Sequence, residues 1–480
     1  MKRLLLLLAL AAPFSRAAID LEAVAPAGFT RGVVLTVDGY AADQDRATLA
    51  NFPVLVRISP TAIPGFAYSD CLFADGSDVR FLDAAGTLLP SEVDEWNADG
   101  ESLVWVSLPS MTNGTEFAMV YGSGSPGTPS GDVWARYAAV IHGGASIANS
   151  VSGGPDATAG SASVAAAADA GRIGGGIRKS AANAIGVNVA KPSDALSDAG
   201  KFTVSAWFKR SGNNGNGTFI LGASRPGWSN GTGFLWLQEQ GKYISVAANN
   251  SHQFASPAHL NAYILPEGAW AHAAFAYESG VSLTTWFEGA QDNRKTSGIG
   301  TLSSTAATWT FGSYQNTGSN DSFVGDMDEL RIFDGVATDD WIRAERDTVA
   351  DASFLSAGTV ASFASTPAPV VGLSAPAADV LYTNATLTAV VGSFGKDETM
   401  SADAGWADLL LVVSAGADLA DPLFSIPLGR ATTAPATMSQ ALVPLATNAT
   451  YYARLLATNE FGVAGESGLS CWSIRHMPST

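Results

Sequence analysis

Cysteine is nearly absent from this chain of 480 residues, which contains only Cys71 and Cys471. Two cysteines so far apart in sequence cannot form the disulfide framework that stabilises many small secreted domains. Neither has a neighbouring histidine in the sequence. We therefore expect each cysteine to be a small buried hydrophobic residue and not half of a disulfide or a nucleophile.

Positive charge is also scarce, because 26 Lys and Arg residues face 44 Asp and Glu residues and give a formal net charge of −18. Such a field repels phosphate backbones and anionic lipids, which argues against nucleic acid or a membrane surface as a partner. An acidic surface remains compatible with cation binding.

Long apolar runs are missing as well. The run at residues 4–12 follows Lys2 and Arg3, and it is far shorter than the roughly 20 residues that a membrane-spanning helix needs. Small residues at Ser15 and Ala17 fit a secretory cleavage site. The sequence predicts a signal peptide over residues 1–17 and a secreted, extracellular or cell-surface protein, with no membrane insertion of the mature chain.

Helical periodicity is rare, whereas short alternating runs such as FPVLVRI, SLVWVSL, FTVSAWF and TYYARLLA recur between turn residues. This pattern predicts an all-β protein built of β-sandwiches. One helix is predicted over residues 338–350, where Thr338 can cap the first turn and two aspartates follow it.

Stretches rich in Gly, Ser, Ala and Pro at residues 122–132 and 357–369 divide the chain. A prior of roughly 150 residues per domain suggests about three domains. We predict a first β-domain over residues 20–122, a second over 133–357 and a third over 368–475.

The first domain contains NFPVLVRI, DGSDVRFLDAAGTLLPSEVDEW, SLVWVSLPSM and AMVYGS in this order. It resembles an uncharacterised bacterial extracellular domain of the fPvlV/aDiRF/vWVkvP type, which implies a small β-structure that accompanies laminin-G-like modules in envelope proteins. Glu92 and Asp94 share one face of a strand, as the acids of laminarinase-type glycosidases do. Trp96 and Asn97 occupy the possible positions of the third acid, so we favour a solvated face of acids over a catalytic strand.

The second domain carries YAAVIHGG, RIGGGI, FTVSAWFK, WAHAAFAY, SLTTWFEG and FVGDMDELRIFDG in order. It resembles the concanavalin A-like, laminin-G-like jelly roll of bacterial surface proteins. In FTVSAWF, alternation places Phe202, Val204, Ala206 and Phe208 on one face and Thr203, Ser205 and Trp207 on the other. Two sheets packed through such apolar faces bury a large core.

The stretch FVGDMDELRIFDG, residues 323–335, places acids inside an apolar strand. Regular alternation puts Asp328 on the face of Leu330 and Glu329 with Arg331 on the other face. A carboxylate among apolar neighbours must be paired, hydrogen-bonded or bound to a metal. The jelly-roll resemblance implies that Asp328 supports a bound calcium or a hydrogen bond that bridges a loop, with Asn149 where the family has an acidic calcium ligand. We favour the hydrogen bond and keep a structural calcium ion at Asp328 and Asn149 as the alternative; a catalytic pair is the third interpretation.

Trp228 and Tyr314 lie in turn-rich loops, RPGWSNGTG and GSYQNTGSND. Sugar rings pack against aromatic faces, so these two residues are the candidates for ligand binding. The histidines are few and scattered, and no third ligand at suitable spacing accompanies them, which argues against a zinc site.

The third domain contains LATNATYYARLLATNEFGVAGES, residues 445–467. This segment resembles fibronectin type III domains, and the resemblance implies that Tyr452 fills the tyrosine-corner position.

The sequence favours a non-catalytic secreted or cell-surface binding and adhesion protein whose jelly roll binds carbohydrate or a cell-envelope protein. The alternatives are a structural or assembly protein of the envelope with no small ligand, and a glycoside hydrolase. Because one fold hosts many functions, the choice depends on the site.

Overall fold

The structure is a computed structural model. It describes residues 19–475 except 27, 41–45, 125, 127–130, 212–216, 224–233, 240–242, 249–250, 254–265, 300–307, 314–321, 364–368, 375–379, 382–384, 395–405, 433, 435 and 460–463. Its regular elements are almost all strands, and the all-β prediction is confirmed.

The first region forms two small antiparallel sheets. Its elements are α1 (Leu21–Val24), β1 (Arg31–Val37), β2 (Phe52–Ile58), the 3₁₀ helix Tyr68–Asp70, β3 (Arg80–Leu82), β4 (Ser91–Glu95), β5 (Ser102–Leu108) and β6 (Glu116–Tyr121). One sheet has the order β1-β6-β3 and the other β2-β5-β4. The runs FPVLVRI and SLVWVSL are β2 and β5, paired so that Val54 faces Val106.

The jelly roll packs an eight-stranded sheet on a seven-stranded one. Its elements are β7 (Tyr137–Ile141), β8 (Ala157–Ala159), β9 (Val164–Ala167), β10 (Gly176–Lys179), β11 (Val187–Val189), the 3₁₀ helix Pro192–Ala195, β12 (Lys201–Arg210), β13 (Gly217–Ala223), β14 (Phe234–Glu239), β15 (Tyr243–Ala248), β16 (Ser251–Gln253), β17 (Trp270–Glu278), β18 (Ser282–Phe287), β19 (Ala290–Lys295), β20 (Trp309–Phe311) and β21 (Gly325–Asp334). The larger sheet has the order β19-β18-β17-β12-β21-β10-β9 with β7 beside β21, and the smaller β16-β15-β14-β13-β20-β11-β8.

The two faces of β12 confirm the predicted alternation. Phe202, Val204, Ala206 and Phe208 belong to the core between the sheets. Trp207 belongs to a different core, on the outer face of the eight-stranded sheet. Both faces of β12, in the middle of this sheet, are therefore buried.

A β-bulge changes the expected alternation in β21. Ser205 pairs with Arg331 and Trp207 pairs with Asp328, so two steps along β12 correspond to three along β21. The extra residue is Glu329, whose φ is 52°; insertion of one residue is what a bulge does. Directly paired residues point to the same side of a sheet. Asp328 therefore lies on the outer face, and the prediction that it shares the face of Leu330 was wrong.

The first region and one helix cover this outer face. The helix α2 (Asp339–Ala350) begins after Thr338, whose hydroxyl accepts a hydrogen bond from Trp341 N at 3.2 Å, as predicted. One continuous core contains side chains from β2 and β5, from α2 and from the outer face of the jelly roll. The chain then returns to β1 through β22 (Leu355–Ala357) and β23 (Ala361–Ser362). Apolar packing thus joins the parts of the chain that precede and follow residues 122–132. The predicted domain boundaries themselves stay a prediction.

The third region is a separate two-sheet sandwich. Its strands are β24 (Val370–Ser374), β25 (Val380–Leu381), β26 (Ala385–Ser393), β27 (Ala407–Ser414), β28 (Pro422–Ala431), β29 (Ala436–Leu442), β30 (Ala449–Asn459), β31 (Ala464–Glu466) and β32 (Ser470–Arg475). The sheets are β24-β26-β29 and β25-β32-β30-β27-β28, with β31 beside β30. The fibronectin type III identity of this sandwich stays a prediction.

Tyr451 makes the hydrogen bonds expected of a tyrosine corner. Its hydroxyl accepts from Ala446 N at 2.7 Å and lies 3.4 Å from Ala446 O. Tyr451 is buried, whereas Tyr452 on the opposite face of β30 is only half-buried. The prediction of Tyr452 was wrong by one residue, because alternation on a strand exchanges the two faces.

Both cysteines are free, and they differ in burial. Cys71 is half-buried against the core of the first region, whereas Cys471 is exposed, so the expected burial of Cys471 was wrong. Among the described residues, no helix is long and apolar enough to cross a membrane.

Candidate functional site

A group of charged side chains lies between β4 of the first region and the outer face of the jelly roll. We call it the interface cluster; its members are Glu92, Asp94, His142, Glu329, Arg331 and Glu345. Buried charges are costly unless they are paired, so each contact in this cluster matters for the stability of the interface.

The centre of the cluster is an ion-pair chain on β7 and β21. His142 directly follows β7, and its Nδ1 lies 2.7 Å from Glu329 Oε1. The other oxygen of Glu329 accepts hydrogen bonds from Arg331 Nη2 at 2.6 Å and Nε at 3.1 Å. Glu329 and Arg331 are two positions apart and therefore lie on the same side of the strand, and the bulge adds Asp328 to that side.

The first region contributes Glu92 and Asp94 from β4. Asp94 Oδ2 lies 3.8 Å from His142 Nδ1 and accepts a hydrogen bond from Trp105 Nε1 at 3.3 Å. Glu92 accepts from Trp134 Nε1, and its Oε1 lies 4.0 Å from His142 Nε2. The interpretation of a solvated face was wrong: the acids face inward and Val93 is exposed.

Aromatic rings surround the guanidinium of Arg331. Its Cζ lies 4.6 Å from the ring centre of Trp105 and 5.1 Å from that of Trp134. Cation–π contacts of this kind are strongest where water is excluded, and the Arg331 side chain is only 1% exposed. The rings therefore separate the ion pairs from solvent.

Glu345 on α2 extends the cluster towards the helix. It accepts a hydrogen bond from Tyr137 Oη at 2.9 Å and another from Ser205 Oγ. Its carboxylate also lies 3.6 Å from Arg331 Nη1 and 3.6 Å from His272 Nε2. This residue connects the helix to four strands of the eight-stranded sheet, β7, β12, β17 and β21.

These neighbours shift the ionisation of the cluster. Burial raises the pKa of Asp94 to about 6, with Glu329 adding to the shift and His142 opposing it. Burial opposes a charged His142, yet Glu329 and Asp94 raise its pKa to about 10. Burial likewise works against the charge of Glu329 and Glu345, but their cationic neighbours lower both pKa values, that of Glu345 to about 2. His142 and Glu329 are therefore both charged at neutral pH.

Sequence reasoning missed this cluster because no local motif encodes it. His142 and Glu329 are 187 positions apart and belong to different strands. The available signals were the alternation of Glu92 and Asp94 and the acid-rich run of β21. One ligand atom each from Asp94, His142 and Glu329 lie within 4.8 Å of one another, a separation that suits a metal ion.

An open cleft of about 390 Å³ lies on the jelly roll, away from this interface. Its walls are the loop before β8 and the 3₁₀ helix Pro192–Ala195. Small residues line much of it, together with the exposed side chains of Asp156, Lys191 and Asp194. The Asp156 carbonyl accepts a hydrogen bond from Ala190 N at 2.9 Å, which joins the two walls.

Asn149 holds one wall of the cleft. Its side-chain oxygen accepts from Val140 N at 2.9 Å and Val151 N at 3.0 Å, and its amide nitrogen donates to Pro155 O at 3.0 Å. Asp328 lies outside the cleft, on the outer face of the eight-stranded sheet. Its carboxylate accepts hydrogen bonds from Arg172 N at 2.7 Å and Ile173 N at 3.1 Å. The two residues share none of these partners, and their proposed calcium binding stays a prediction.

The remaining predicted site residues, Trp228 and Tyr314, lie outside the described residues. Among the five histidines of the sequence, His259 also lies outside them. His252 is described only through the backbone of β16.

The comparisons with known proteins define two domains. Residues 182–343 match the family described as the concanavalin A-like lectin/glucanases superfamily. Residues 75–134 match a domain of unknown function, DUF2341. The chain therefore contains a concanavalin A-like domain and, before it, a DUF2341 domain. No curated protein sequence matches the chain.

Solved structures similar to this chain include domain 4 of AbnA, a GH43 extracellular arabinanase from Geobacillus stearothermophilus, in complex with arabinotriose. It is 19% identical with a TM-score of 0.30, over 43% of this chain and 98% of that one. A second is the CBM40 of the Ruminococcus gnavus IT-sialidase bound to α2,3-sialyllactose, 12% identical with a TM-score of 0.25, over 30% and 82%. A third is the botulinum neurotoxin serotype D binding domain, 8% identical with a TM-score of 0.35, over 67% and 70%. At these TM-scores we base no argument on the likeness.

Proposed function

We propose that this chain is a secreted or cell-surface binding protein whose concanavalin A-like domain takes carbohydrate in the open cleft beside the 3₁₀ helix Pro192–Ala195. The observation that carries the proposal is the composition of the cleft: exposed charged groups around a lining of glycine, alanine and proline. Carboxylates accept hydrogen bonds from sugar hydroxyls, an ammonium group donates them, and small residues let a ring approach the backbone.

The location of the cleft supports a glycan of some length. Its volume of about 390 Å³ is open to solvent at the rim of the jelly roll, whereas the outer face of the eight-stranded sheet is occupied by the first region. Asn149 acts here as a positioning residue, because its hydrogen bond to Pro155 O fixes the wall that contains Asp156.

The proposed role is non-catalytic. Glu92 and Asp94 belong to the interface cluster, where they accept hydrogen bonds from the indole N–H groups of Trp134 and Trp105. A polysaccharide has little access to them there. The superfamily includes glucanases, so enzymatic activity stays open and requires its own assay.

A glycan array with the full chain, run with calcium and again with a chelator, tests the proposal. We expect binding that weakens at least tenfold in Asp156→Asn and Asp194→Asn. Asp198→Asn is the matched control, because Asp198 is exposed just beyond the 3₁₀ helix and does not line the cleft. Loss on chelation would add calcium to the proposal, and Trp228→Ala and Tyr314→Ala test the loop residues separately. Bound glycans are also incubated with the protein, and released reducing ends would indicate a hydrolase.

A structural or assembly role in the cell envelope is the second candidate. It is favoured by the continuous core between the DUF2341 domain and the jelly roll, which buries a sheet face that a ligand would otherwise reach. Absence of glycan binding in both array conditions, or binding that the cleft variants leave unchanged, would contradict the cleft proposal and favour this role.

A further inference from the structure

The interface cluster contains three metal-ligating side chains that meet from distant segments. Asp94 comes from β4, His142 from the end of β7 and Glu329 from the bulge of β21. The Nδ1 atom of His142 lies 2.7 Å from Glu329 Oε1 and 3.8 Å from Asp94 Oδ2. Zinc binds nitrogen and carboxylate oxygen at about 2.0–2.2 Å, which separates adjacent ligand atoms by roughly 3–3.6 Å. Small shifts would bring these three atoms around one ion.

Two of the three candidate ligands, Asp94 and Glu329, are each held by a second residue. Trp105 Nε1 donates to Asp94 Oδ2. Arg331 occupies Oε2 of Glu329, which leaves Oε1 directed at His142. Such outer contacts orient ligands in metal sites and raise their affinity.

The charge of the cluster favours a cation. Its four carboxylates face only two cationic side chains, Arg331 and His142, in a site from which two tryptophans exclude much of the water. In addition, Nε2 of His142 is buried and makes no hydrogen bond to any described residue, and a carboxylate oxygen of Glu92 lies 4.0 Å away from it. Zinc would replace the proton on Nδ1 of His142 and release it to solvent. The coordinated imidazole would keep its proton on Nε2 and direct it towards Glu92.

We propose that Asp94, His142 and Glu329 bind one zinc ion, which fastens the DUF2341 domain to the concanavalin A-like domain. The mixture of one imidazole and two carboxylates suits zinc better than calcium, which takes six to eight oxygen ligands. Because the ligands come from both domains, the complete site exists only when they are packed together, and zinc binding stabilises that packing. This inference is independent of the proposed glycan cleft.

Calorimetric titration of the full chain, after treatment with a chelator and dialysis, tests the site with ZnCl₂ and, in parallel, CaCl₂. We expect one equivalent of zinc to bind in the titration. In thermal unfolding, we expect the zinc-loaded protein to have a higher Tm than the chelator-treated protein. Asp94→Asn and His142→Gln should each weaken zinc binding more than tenfold. Asp169→Asn is the control, since Asp169 is an exposed acid that pairs with Arg178 at 3.0 Å outside the cluster.

Circular dichroism establishes that each variant is folded. Asp94 is the safer position, because its side chain lies at the edge of the cluster with 16% exposure, and the asparagine variant keeps its shape. Three results would overturn the proposal: no zinc binding by the wild type, calcium binding in place of zinc, or zinc binding that both variants leave intact. The first would leave His142 as an imidazolium in a metal-free ion-pair network.

Discussion

Replacement of Glu345 by glutamine should destabilise the protein in a pH-dependent way. Burial opposes the charge of this carboxylate, but Arg331, His272 and Ser205 outweigh it and lower its pKa from 4.5 to about 2. The ionised group therefore stabilises the folded state by about 3 kcal/mol at pH 7. We expect Glu345→Gln to remove about this amount, because glutamine keeps the shape of the side chain and loses the charge.

The pH dependence follows from the sign of the shift. A carboxylate with a lowered pKa in the folded state stabilises it fully above the unfolded value, near 4.5, and the contribution disappears as the pH falls towards 2. The free energy of unfolding of Glu345→Gln should therefore lie only about 1 kcal/mol below that of the wild type at pH 3.

Urea unfolding followed by tryptophan fluorescence at pH 7 and pH 3 measures both values, since Trp341 on α2 donates to Tyr137, a direct partner of Glu345. Glu278→Gln is the control: Glu278 pairs with Lys201 at 3.4 Å near the surface, and such pairs contribute less than about 1 kcal/mol. A variant as stable as the wild type at pH 7, or an equal deficit at both pH values, would refute the reasoning.

Three further predictions concern other parts of the fold, and thermal unfolding tests each of them. Tyr451→Phe should cost about 1 kcal/mol by removing the corner hydrogen bond, whereas Tyr452→Phe should change stability by less than about 0.5 kcal/mol; equal effects would contradict the corner assignment. Thr348→Val should cost about 1–3 kcal/mol, because it removes the hydroxyl that accepts from the buried Leu55 N at 2.9 Å, and Thr348→Ser should restore stability; no difference between these two variants would argue against this helix-to-strand contact. Gly186→Ala should cost about 3 kcal/mol or more, since its Cβ would lie 1.7 Å from a backbone oxygen of β20; a Tm equal to that of the wild type would show that the strand can move.

Local patterns were sufficient for much of the architecture. The runs FPVLVRI, SLVWVSL and FTVSAWF are strands because their alternation allows one face to be buried, and residues 338–350 contain a capped helix because Thr338 precedes acids and a spaced set of apolar residues. These signals act over a few residues, so the chain carries them without reference to the rest of the fold.

Predictions that needed the exact phase of a strand were less successful. Asp328 was assigned to the wrong face because the bulge at Glu329 inserts one residue, and Tyr452 was chosen over Tyr451 by the same kind of shift. A shift of one residue exchanges the two faces of a strand, and the apolar pattern alone does not locate the bulge.

The limit of prediction from sequence is clearest at the interface cluster. Residue alternation was enough to place Glu92 and Asp94 on a common face and Glu329 beside Arg331. Only the packing of the DUF2341 domain on the jelly roll decided that these faces meet around His142, within 4.8 Å for three candidate ligands. The reason is physical: alternation is a property of neighbouring residues, whereas the approach of β4, β7 and β21 depends on how two apolar surfaces bury each other across the whole chain.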